Sequence, residues 1–288
     1  MNGKLIITAD DYGMCAAVNE AIEECLAAGT VRATCAMANM PAFASTANLR
    51  KRFPESSVGI HWTMTEGLPV LPPQQVASLV RTDGSFYPPL ELRRRWLRRQ
   101  TSAIELANEL RAQYRRFREV AGEPDFWNTH QNFHVFPGLF EACVTLGQEL
   151  KIPRMRCHRR FTVARERTVA AYNFGHPVSW VKGAVISWWS QRAAQRGMLM
   201  PAGIVHMPGY EADRSSIEEV VTRLPWAFVK GSLELIVHPA TNNHDPLFHR
   251  NAERRLLEYR LLRDSRFGNR LRQLGIESVT FQALQNGS

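Results

Sequence analysis

The fold is decided by the stretch Lys4-Leu5-Ile6-Ile7-Thr8-Ala9-Asp10-Asp11-Tyr12-Gly13, in which an apolar run ends in two adjacent carboxylates and a glycine. We interpret it as a buried strand with two acids at its C-terminal end, where α/β folds place their functional groups. Neighbouring side chains on a regular strand point to opposite faces, so both acids reach one site only if the backbone turns there. The alternative is an Asp-Asp turn before a helix N-terminus, where aspartate is also common.

The rest of the chain alternates short apolar strands with amphipathic helices, and the pattern gives about eight strands. It predicts a distorted (β/α) barrel of the TIM type, with an open doubly wound α/β sheet as the alternative. Further strands are expected at 31–37, 58–61, 154–157, 203–207, 232–237 and 278–281, and the segment 125–137 is expected to be a short strand that continues into a histidine-bearing loop. Helices are expected at 15–28, 42–52, 102–120, 139–150, within 172–202, and at 250–264.

Length and composition bound the domain organisation. With 288 residues, 44% of them hydrophobic and 22% charged, the chain has the composition of a globular protein, and we expect a single domain over 1–288. Between residues 62 and 90 the periodicity is lost and prolines accumulate, which predicts a long loop. Because Trp62, Phe86 and Tyr87 are aromatic, we expect this loop to cover the substrate.

Cysteine usage and the N-terminal segment bear on localisation. The five cysteines are never spaced as C-x-x-C, so reduced thiols in a cytoplasmic protein are the simplest interpretation. The first residues lead directly into a strand and lack the pattern of a signal peptide. No apolar run approaches the length of a membrane span, and we therefore expect a soluble, cytoplasmic protein.

The formal net charge of +9 raises nucleic acid, an anionic membrane or an acidic substrate as partners. The densest arginine cluster is the run from Arg93 to Arg99, and other arginines are spread over the predicted helices. Such arginines are more often solvated helix faces, so nucleic acid is disfavoured. Binding to a membrane surface or a lipid-linked substrate stays open, since Trp188 and Trp189 fall near basic residues, and a homo-oligomer is also open.

Aspartate and histidine residues follow four of the predicted strands. They are Asp10 and Asp11, His61, His130 with His134, and His238. Strand ends meet at one face of a barrel, and one aspartate with two histidines is a recurring ligand set for a catalytic divalent metal. A nearby carboxylate can then serve as general base and another histidine as general acid. The chain has nine histidines, so some of them must be structural.

Four motifs carry a resemblance to a known family. They are Ala9-Asp10-Asp11-Tyr12-Gly13, Gly59-Ile60-His61-Trp62-Thr63-Met64-Thr65-Glu66-Gly67, Thr129-His130-Gln131-Asn132-Phe133-His134 with Pro137, and Glu234-Leu235-Ile236-Val237-His238-Pro239. In this order and spacing the chain resembles the YdjC-like carbohydrate deacetylases, which include chitooligosaccharide deacetylases and hopanoid-associated relatives.

The resemblance implies a distorted barrel that removes acetyl groups from N-acetylated sugars such as N-acetylglucosamine. It implies that Asp11, His61 and His130 hold one divalent metal ion, that Asp10 takes a proton from the attacking water, and that His238 protonates the leaving amine. Zinc is favoured by the mixed imidazole and carboxylate set, and magnesium, manganese and cobalt are the alternatives.

Substrate contacts are expected from Tyr12, Trp62, Thr63, Glu66, Asn132, His134 and Arg156. Three positions depart from the family pattern. Asn132 stands where many relatives have a histidine, Trp62 where a smaller aliphatic residue is usual, and Ala240 where glycine is common. The first two change side chains that are expected at the sugar pocket.

The function we expect is metal-dependent hydrolysis of the N-acetyl group of an amino sugar, in an oligosaccharide or a glycan conjugate. One alternative is hydrolysis of another amide or of an ester; phosphoesters rank lower because they usually require two metals. The other is a basic module that binds nucleic acid or anionic lipid. The chain lacks the G-x-S-x-G, Walker and G-x-G-x-x-G motifs, which disfavours a serine nucleophile and a nucleotide cofactor.

Overall fold

The computed structural model describes residues 3–136, 138–159, 177–206 and 231–284. Within these ranges, seven strands form one sheet in which every pairing of named strands is parallel. The strands are β1 (Gly3–Tyr12), β2 (Ala33–Ala36), β3 (Ser57–Trp62), β4 (Trp127–Thr129), β5 (Gly203–His206), β6 (Ser232–Val237) and β7 (Ile276–Ser278). Their order is β4-β3-β2-β1-β6-β5, with β7 pairing to β1. Because the strands are parallel, their C-terminal ends lie at one edge of the sheet.

Residues 154–159 close the sheet into a distorted barrel. On one side, the Trp127 N–H donates to the Arg154 carbonyl and the Arg156 N–H donates to the Trp127 carbonyl. On the other side, the Ile204 N–H in β5 donates to the Arg159 carbonyl. The segment therefore connects β4 to β5, which pairs with β6 and so returns to β1. The predicted barrel is confirmed, and the alternative of an open doubly wound sheet is wrong.

The described helices cover the outside of the sheet. They are α1 (Ala16–Ala27), α2 (Leu49–Arg52), α3 (Pro89–Leu97), α4 (Ala103–Ala121), α5 (Leu139–Glu149), α6 (Pro177–Gln195), α7 (Ala252–Leu262) and α8 (Ser265–Gln273). Short 3₁₀ helices lie at Phe43–Asn48, Pro73–Val76, His130–Val135, Pro246–Asn251 and Phe281–Ala283. None of these described helices combines the length and the apolar character that crossing a bilayer requires.

Helix α4 shows how local sequence sets an element. Ser102 caps it by accepting a hydrogen bond from the Glu105 N–H at 3.3 Å, and Leu106, Leu110 and Phe117 form a buried stripe at helical spacing. The helix predicted at 102–120 is thus confirmed. The helix predicted at 42–52 is instead a 3₁₀ turn followed by the four-residue α2.

The described part of segment 172–202 contains α6. Trp189 is buried with its ring stacked on Phe140 at 5.2 Å, whereas Trp188 is half exposed. Trp189 is therefore a core residue. Residues 172–176, the side chain of Val181 and residue 207 were part of the sequence predictions but lie outside what the structure describes.

The loop at residues 62–90 is held against α4. The Glu109 carboxylate accepts hydrogen bonds from the Val70 and Leu71 N–H groups at 2.9 and 3.0 Å. Residues Val80 and Phe86 form an antiparallel bridge within the loop, and Phe86 is buried. The aromatic Phe86 is therefore part of the packing that fixes the loop in place.

Side chains inside the barrel change from apolar to polar along the strands. Near the N-terminal ends of the strands, a compact cluster plugs the barrel, and the rings of Phe126 and Phe281 stack at 3.8 Å. Its members are Ile6, Ala33, Cys35, Phe126, Val279, Phe281 and Leu284. Because side chains of a strand alternate, the inward positions further along β1 and β3 are Asp10 and His61. The polar site thus lies on an apolar floor.

Candidate metal centre

The two consecutive aspartates both face the same cavity at the end of β1. Asp11 adopts a φ of 72°, and the pairing register with β2 shifts between Ala9 and Tyr12. The Asp11 carbonyl then accepts a hydrogen bond from the Met14 N–H at 3.0 Å, which closes a turn. This left-handed residue breaks the strand alternation, so that Asp11 turns toward the site that Asp10 already faces.

Three buried donor atoms form a small triangle in this cavity. Asp11 Oδ1 lies 3.3 Å from His61 Nε2 and 3.0 Å from His130 Nδ1, and these two nitrogens are 3.3 Å apart. A tetrahedral site with metal–ligand bonds of about 2.0 Å has donor atoms about 3.3 Å apart. One carboxylate oxygen and two imidazole nitrogens are also donors that zinc accepts. The residues therefore fit a divalent ion of this kind.

A second group of possible ligands, Asp10, Cys35 and His61, lies on the other side of the His61 ring. Cys35 Sγ is 3.1 Å from Asp10 Oδ1 and 3.3 Å from His61 Nδ1. Burial raises the pKa of the Cys35 thiol well above its ordinary value, and the Asp10 charge adds to this effect. Asp11, His61 and His130 all line the cavity and Cys35 does not, so the Asp11 group is the better candidate.

Arg255, from α7, forms an ion pair with Asp11 Oδ2. Burial alone would raise the pKa of Asp11, but Arg255 and the neighbouring His130 hold that pKa well below its ordinary value. Asp11 is therefore an anion whose other oxygen, Oδ1, faces the two histidines. Arg255 was not predicted, because it is one of many arginines on a predicted helix, and such arginines usually lie on a solvent-exposed face.

Asp10 is held by a buried arginine. Arg156 Nη1 and Nη2 donate to the two Asp10 oxygens at 2.6 and 2.7 Å, and Arg156 Nε and Nη2 also donate to Glu234 Oε1. Burial acts to raise the pKa of Asp10, but the Arg156 charge outweighs it and lowers that pKa. Burial raises the pKa of Glu234. Glu234 was also missed, although a carboxylate inside the apolar run of β6 was an available signal.

His238 follows β6 and lies beside Asp10. Its Nε2 is 3.9 Å from Asp10 Oδ2, and its side chain is 37% exposed, toward the cavity that it lines. The His238 backbone N–H donates to the buried carboxylate of Glu258 in α7, which fixes this strand end. Partial burial lowers the pKa of the His238 ring.

The cavity has a volume of roughly 240 Å³ and opens over the donor triangle. It brings together eight of the residues predicted from the sequence: Asp10, Asp11, His61, Glu66, His130, Asn132, Arg156 and His238. Asn132 reaches it because Gln131 and Asn132 both have φ near 52°, which curls the chain after β4. Apolar lining comes from Met14, Ile236, Leu247 and Phe248, which the sequence did not indicate.

Four predicted substrate residues do not line this cavity. The Tyr12 hydroxyl donates to Glu23 at 2.7 Å, and the Thr63 N–H donates to Gln113 at 2.9 Å. The remaining two are Trp62, whose ring packs on Trp127 at 5.1 Å, and His134, whose Nδ1 is 2.5 Å from Thr129 Oγ1. Burial lowers the pKa of His134 to about 3. Trp62 follows His61 on β3, so strand alternation points it outward.

Comparisons with known proteins agree with this architecture. The YdjC-like protein family model matches residues 4–273. The chain is 27% identical to the chitooligosaccharide deacetylase of Proteus mirabilis, over 97% of this chain and 98% of that protein. It is 34% identical to the carbohydrate deacetylase of Danio rerio over 48% of this chain and 44% of that protein, and 36% identical to that of Mus musculus over 48% and 45%. The chain spans a little under half the length of these two vertebrate relatives.

A solved structure supports the fold. It is described as a putative cellobiose-phosphate cleavage protein of Enterococcus faecalis V583, and it superimposes with a TM-score of 0.76 over 98% of this chain and 99% of that one. Its sequence is 22% identical, so the likeness concerns the fold alone. The family match covers nearly the whole sequence, and the four sequence motifs quoted above include every residue of the donor triangle. The resemblance is confirmed: this chain belongs to the YdjC-like protein family.

Proposed function

We propose that this protein is a metal-dependent carbohydrate deacetylase that hydrolyses the N-acetyl group of an amino sugar. The observation that carries the proposal is the buried triangle of Asp11, His61 and His130 donor atoms, 3.0 to 3.3 Å apart, with Asp10 beside it. Relatives of this chain are named carbohydrate and chitooligosaccharide deacetylases, which supports the substrate class.

Asp11, His61 and His130 would hold one divalent ion, for which zinc is the first candidate. A divalent ion supplies two things to amide hydrolysis: it lowers the pKa of a water and it polarises the carbonyl. The ion pair with Arg255 keeps Asp11 ionised and fixes its orientation. The apolar barrel floor excludes bulk water from below, which strengthens the electrostatic interactions in the site.

Asp10 is the proposed base that accepts a proton from the attacking water. Its two hydrogen bonds to Arg156 keep Asp10 ionised and fix the plane of its carboxylate. Because they also lower its pKa, they make Asp10 a weaker base. His238 is the proposed acid, because its ring borders the cavity 3.9 Å from Asp10 and can protonate the leaving amine. An amine leaves poorly unless it is protonated, so this transfer is needed for cleavage.

The sugar would occupy the cavity above the donor triangle. Glu66 and Asn132 line it and offer polar atoms for sugar hydroxyls, whereas Met14, Leu247 and Phe248 offer apolar contacts. Glu66 belongs to the 62–90 loop, so this loop contributes directly to the cavity. We extend the proposal to this loop, which would cover the bound sugar.

The surface of α3 favours one alternative partner. Leu90 and Leu97 are each 67% exposed, and Arg94 lies on the same face of the helix, four residues after Leu90 and three before Leu97. Arg98, also exposed, directly follows the helix. Exposed leucines among arginines suit an anionic membrane surface better than a nucleic acid. Binding to such a surface stays a prediction, and it is compatible with the deacetylase as a way to reach a lipid-linked glycan.

The test of the proposal is acetate release. Purified protein loaded with zinc, manganese, magnesium or cobalt is incubated with N-acetylglucosamine and its oligomers, and free acetate and primary amine are measured together. We expect equal amounts of both products, abolished by a chelator and restored by one of the ions. No release from the whole panel with any ion, or release that the chelator leaves unchanged, would refute the proposal. Cleavage of an O-acetyl ester without amine formation would instead support the hydrolysis of another bond.

A further inference from the structure

Glu234 is a carboxylate inside the barrel that the proposed mechanism does not use. It lies on β6, where it pairs with Ile6 of the apolar floor, and its side chain is fully buried. Two residues further along the strand, and hence on the same face, Ile236 lines the cavity. Glu234 itself does not belong to the described lining of that cavity. It therefore points into the barrel between the floor and the site, out of reach of a substrate.

The partner of Glu234 in this position is Arg156. Arg156 Nε and Nη2 donate to Glu234 Oε1 at 3.0 and 2.8 Å. On another edge of the same guanidinium, Nη1 and Nη2 donate to Asp10 at 2.6 and 2.7 Å. A guanidinium is planar and its N–H groups point in fixed directions, so contacts on two edges fix both its position and its plane.

The backbone around Arg156 gives this side chain little support of its own. Arg154 and Met155 pair only as isolated bridges, and the Arg156 N–H donates to the Trp127 carbonyl at 3.2 Å. An arginine side chain is long and has many rotamers. The place of the guanidinium is therefore set mainly by its side-chain contacts, of which Glu234 provides two.

Asp10 in turn takes its orientation from Arg156. The other described contacts of its carboxylate are weaker: the Cys35 thiol at 3.1 Å is a poor donor, and the Asn128 amide is 3.4 Å away. A general base must lie within hydrogen-bond reach of the proton that it accepts. A displaced Arg156 would therefore move the Asp10 carboxylate away from the attacking water.

We propose that Glu234 is a positioning residue for deacetylation, which holds the Arg156 guanidinium in the plane that orients Asp10. The inference rests on the proposed function, in which Asp10 is the base. Only one oxygen of Glu234 takes part, because Oε2 has no hydrogen-bond partner in the described part of the chain. The site thus requires from Glu234 one acceptor oxygen at the correct distance, rather than its charge.

Three substitutions separate position from charge. Glu234→Gln keeps the length and one acceptor oxygen but loses the charge, Glu234→Asp keeps the charge but is one methylene shorter, and Glu234→Leu keeps neither. We expect kcat for acetate release to fall about 100-fold in the leucine and aspartate variants, because the base is misplaced. We expect the glutamine variant to be at least about tenfold faster than either. KM and zinc content should stay nearly unchanged, since the cavity lining and the donor triangle are intact.

The matched control is Ser232→Ala. Ser232 is buried two residues before Glu234 on the same strand, and its hydroxyl has no hydrogen-bond partner among the described residues. We expect native kcat for this variant. Steady-state kinetics and metal analysis are carried out on the same preparations, and urea unfolding checks that each variant is folded under the assay conditions.

Several results would overturn the inference. They are native kcat in Glu234→Leu, a Glu234→Asp variant at least as fast as Glu234→Gln, or a loss of zinc in parallel with kcat. In each case the native protein still releases acetate, so the deacetylase proposal stands. If the leucine variant does not fold, the comparison of the glutamine and aspartate variants decides. If the native protein releases no acetate, the proposed function fails and the inference fails with it.

Discussion

At the scale of single residues, the site depends on how one aspartate leaves its strand. The Asp10-Asp11 pair and its place at a strand end could be predicted, because an apolar run followed by acids is visible in the sequence. The φ of 72° at Asp11 could not, since aspartate adopts that conformation only where the surrounding structure favours it. That one torsion gives the two neighbours different partners, with Arg255 on Asp11 and Arg156 on Asp10.

Arginine partners were the least predictable part of the site. Arg156 was expected to contact substrate, and it does line the cavity, but it is also a buried partner of Asp10 and Glu234. Arg255 is one of several arginines in α7, and only the fold distinguishes it from the others. A charged residue that is buried by long-range packing has no periodic signal of its own, which is why sequence reasoning missed it.

His238 gives a prediction for the chemical step. Replacing it with alanine removes the proposed proton donor but leaves the donor triangle intact. We expect kcat to fall by about 10²- to 10⁴-fold, with KM and zinc content nearly unchanged. Steady-state kinetics with metal analysis of the same preparation checks this. A loss of zinc parallel to the loss of activity would show that His238 supports the metal rather than the amine.

At the scale of elements, the packing of β3 against Phe126, the residue before β4, requires a glycine. A Cβ on Gly59 would lie 2.7 Å from ring atoms of Phe126, whose ring is itself stacked on Phe281. The close approach of β3 to this ring fixes the position of His61, two residues further along the same strand. Glycine at this position was visible in the sequence, but the ring that requires it lies far away in the chain and was not.

We therefore expect Gly59→Ala to be destabilising. The added methyl group overpacks the barrel floor, and we expect the free energy of unfolding to fall by about 1–3 kcal/mol. Urea unfolding of the metal-free protein measures this. Gly29→Ala is not a neutral control because Gly29 has a φ of +70°. Gly268→Ala in α8 is the better comparison, because a Cβ there would lie 3.5 Å from Thr30 Oγ1, an ordinary van der Waals contact. Equal stability of Gly59→Ala and the native protein would contradict the packing that we describe.

At the scale of the whole molecule, Arg156 joins opposite parts of the barrel. It belongs to the closing segment 154–159 and bonds to Asp10 on β1 and Glu234 on β6. Removal of one member of a buried ion pair leaves the others uncompensated. We expect Arg156→Met to lower the free energy of unfolding at neutral pH by about 3–5 kcal/mol.

The pH dependence of that loss has a defined sign. In the native protein the pKa of Asp10 is lowered, so the ionised carboxylate adds to the free energy of unfolding at pH values above its unfolded-state pKa of about 3.9. This contribution is lost as the pH falls. Without Arg156, burial raises the pKa of Asp10 in the folded state, and protonation at lower pH relieves the unpaired charge. The stability difference between the two proteins should therefore shrink from pH 8 to pH 5 in urea unfolding with a chelator present. A difference that is constant over this range would contradict the account.

The overall architecture was accessible from the sequence because it depends on repeated local patterns. Alternating strands and helices predicted the barrel, and the histidines at strand ends predicted the face that carries the site. The closing segment was harder, since Arg154 and Met155 pair only as isolated bridges and not as a full strand. Outward-facing Trp62 was assigned to the substrate pocket because it follows His61, and only the observed strand register shows its true direction.

The central claim is that the two adjacent aspartates have different roles: Asp11 is a ligand of the metal, and Asp10 accepts a proton from the attacking water. The measurement that tests it most directly is zinc content and acetate release for Asp10→Asn and Asp11→Asn, prepared side by side. We expect Asp11→Asn to lose zinc affinity by at least about tenfold, and Asp10→Asn to bind zinc like the native protein while acetate release falls by at least about a hundredfold. Equal zinc loss in both variants, or full activity of Asp10→Asn, would contradict the claim.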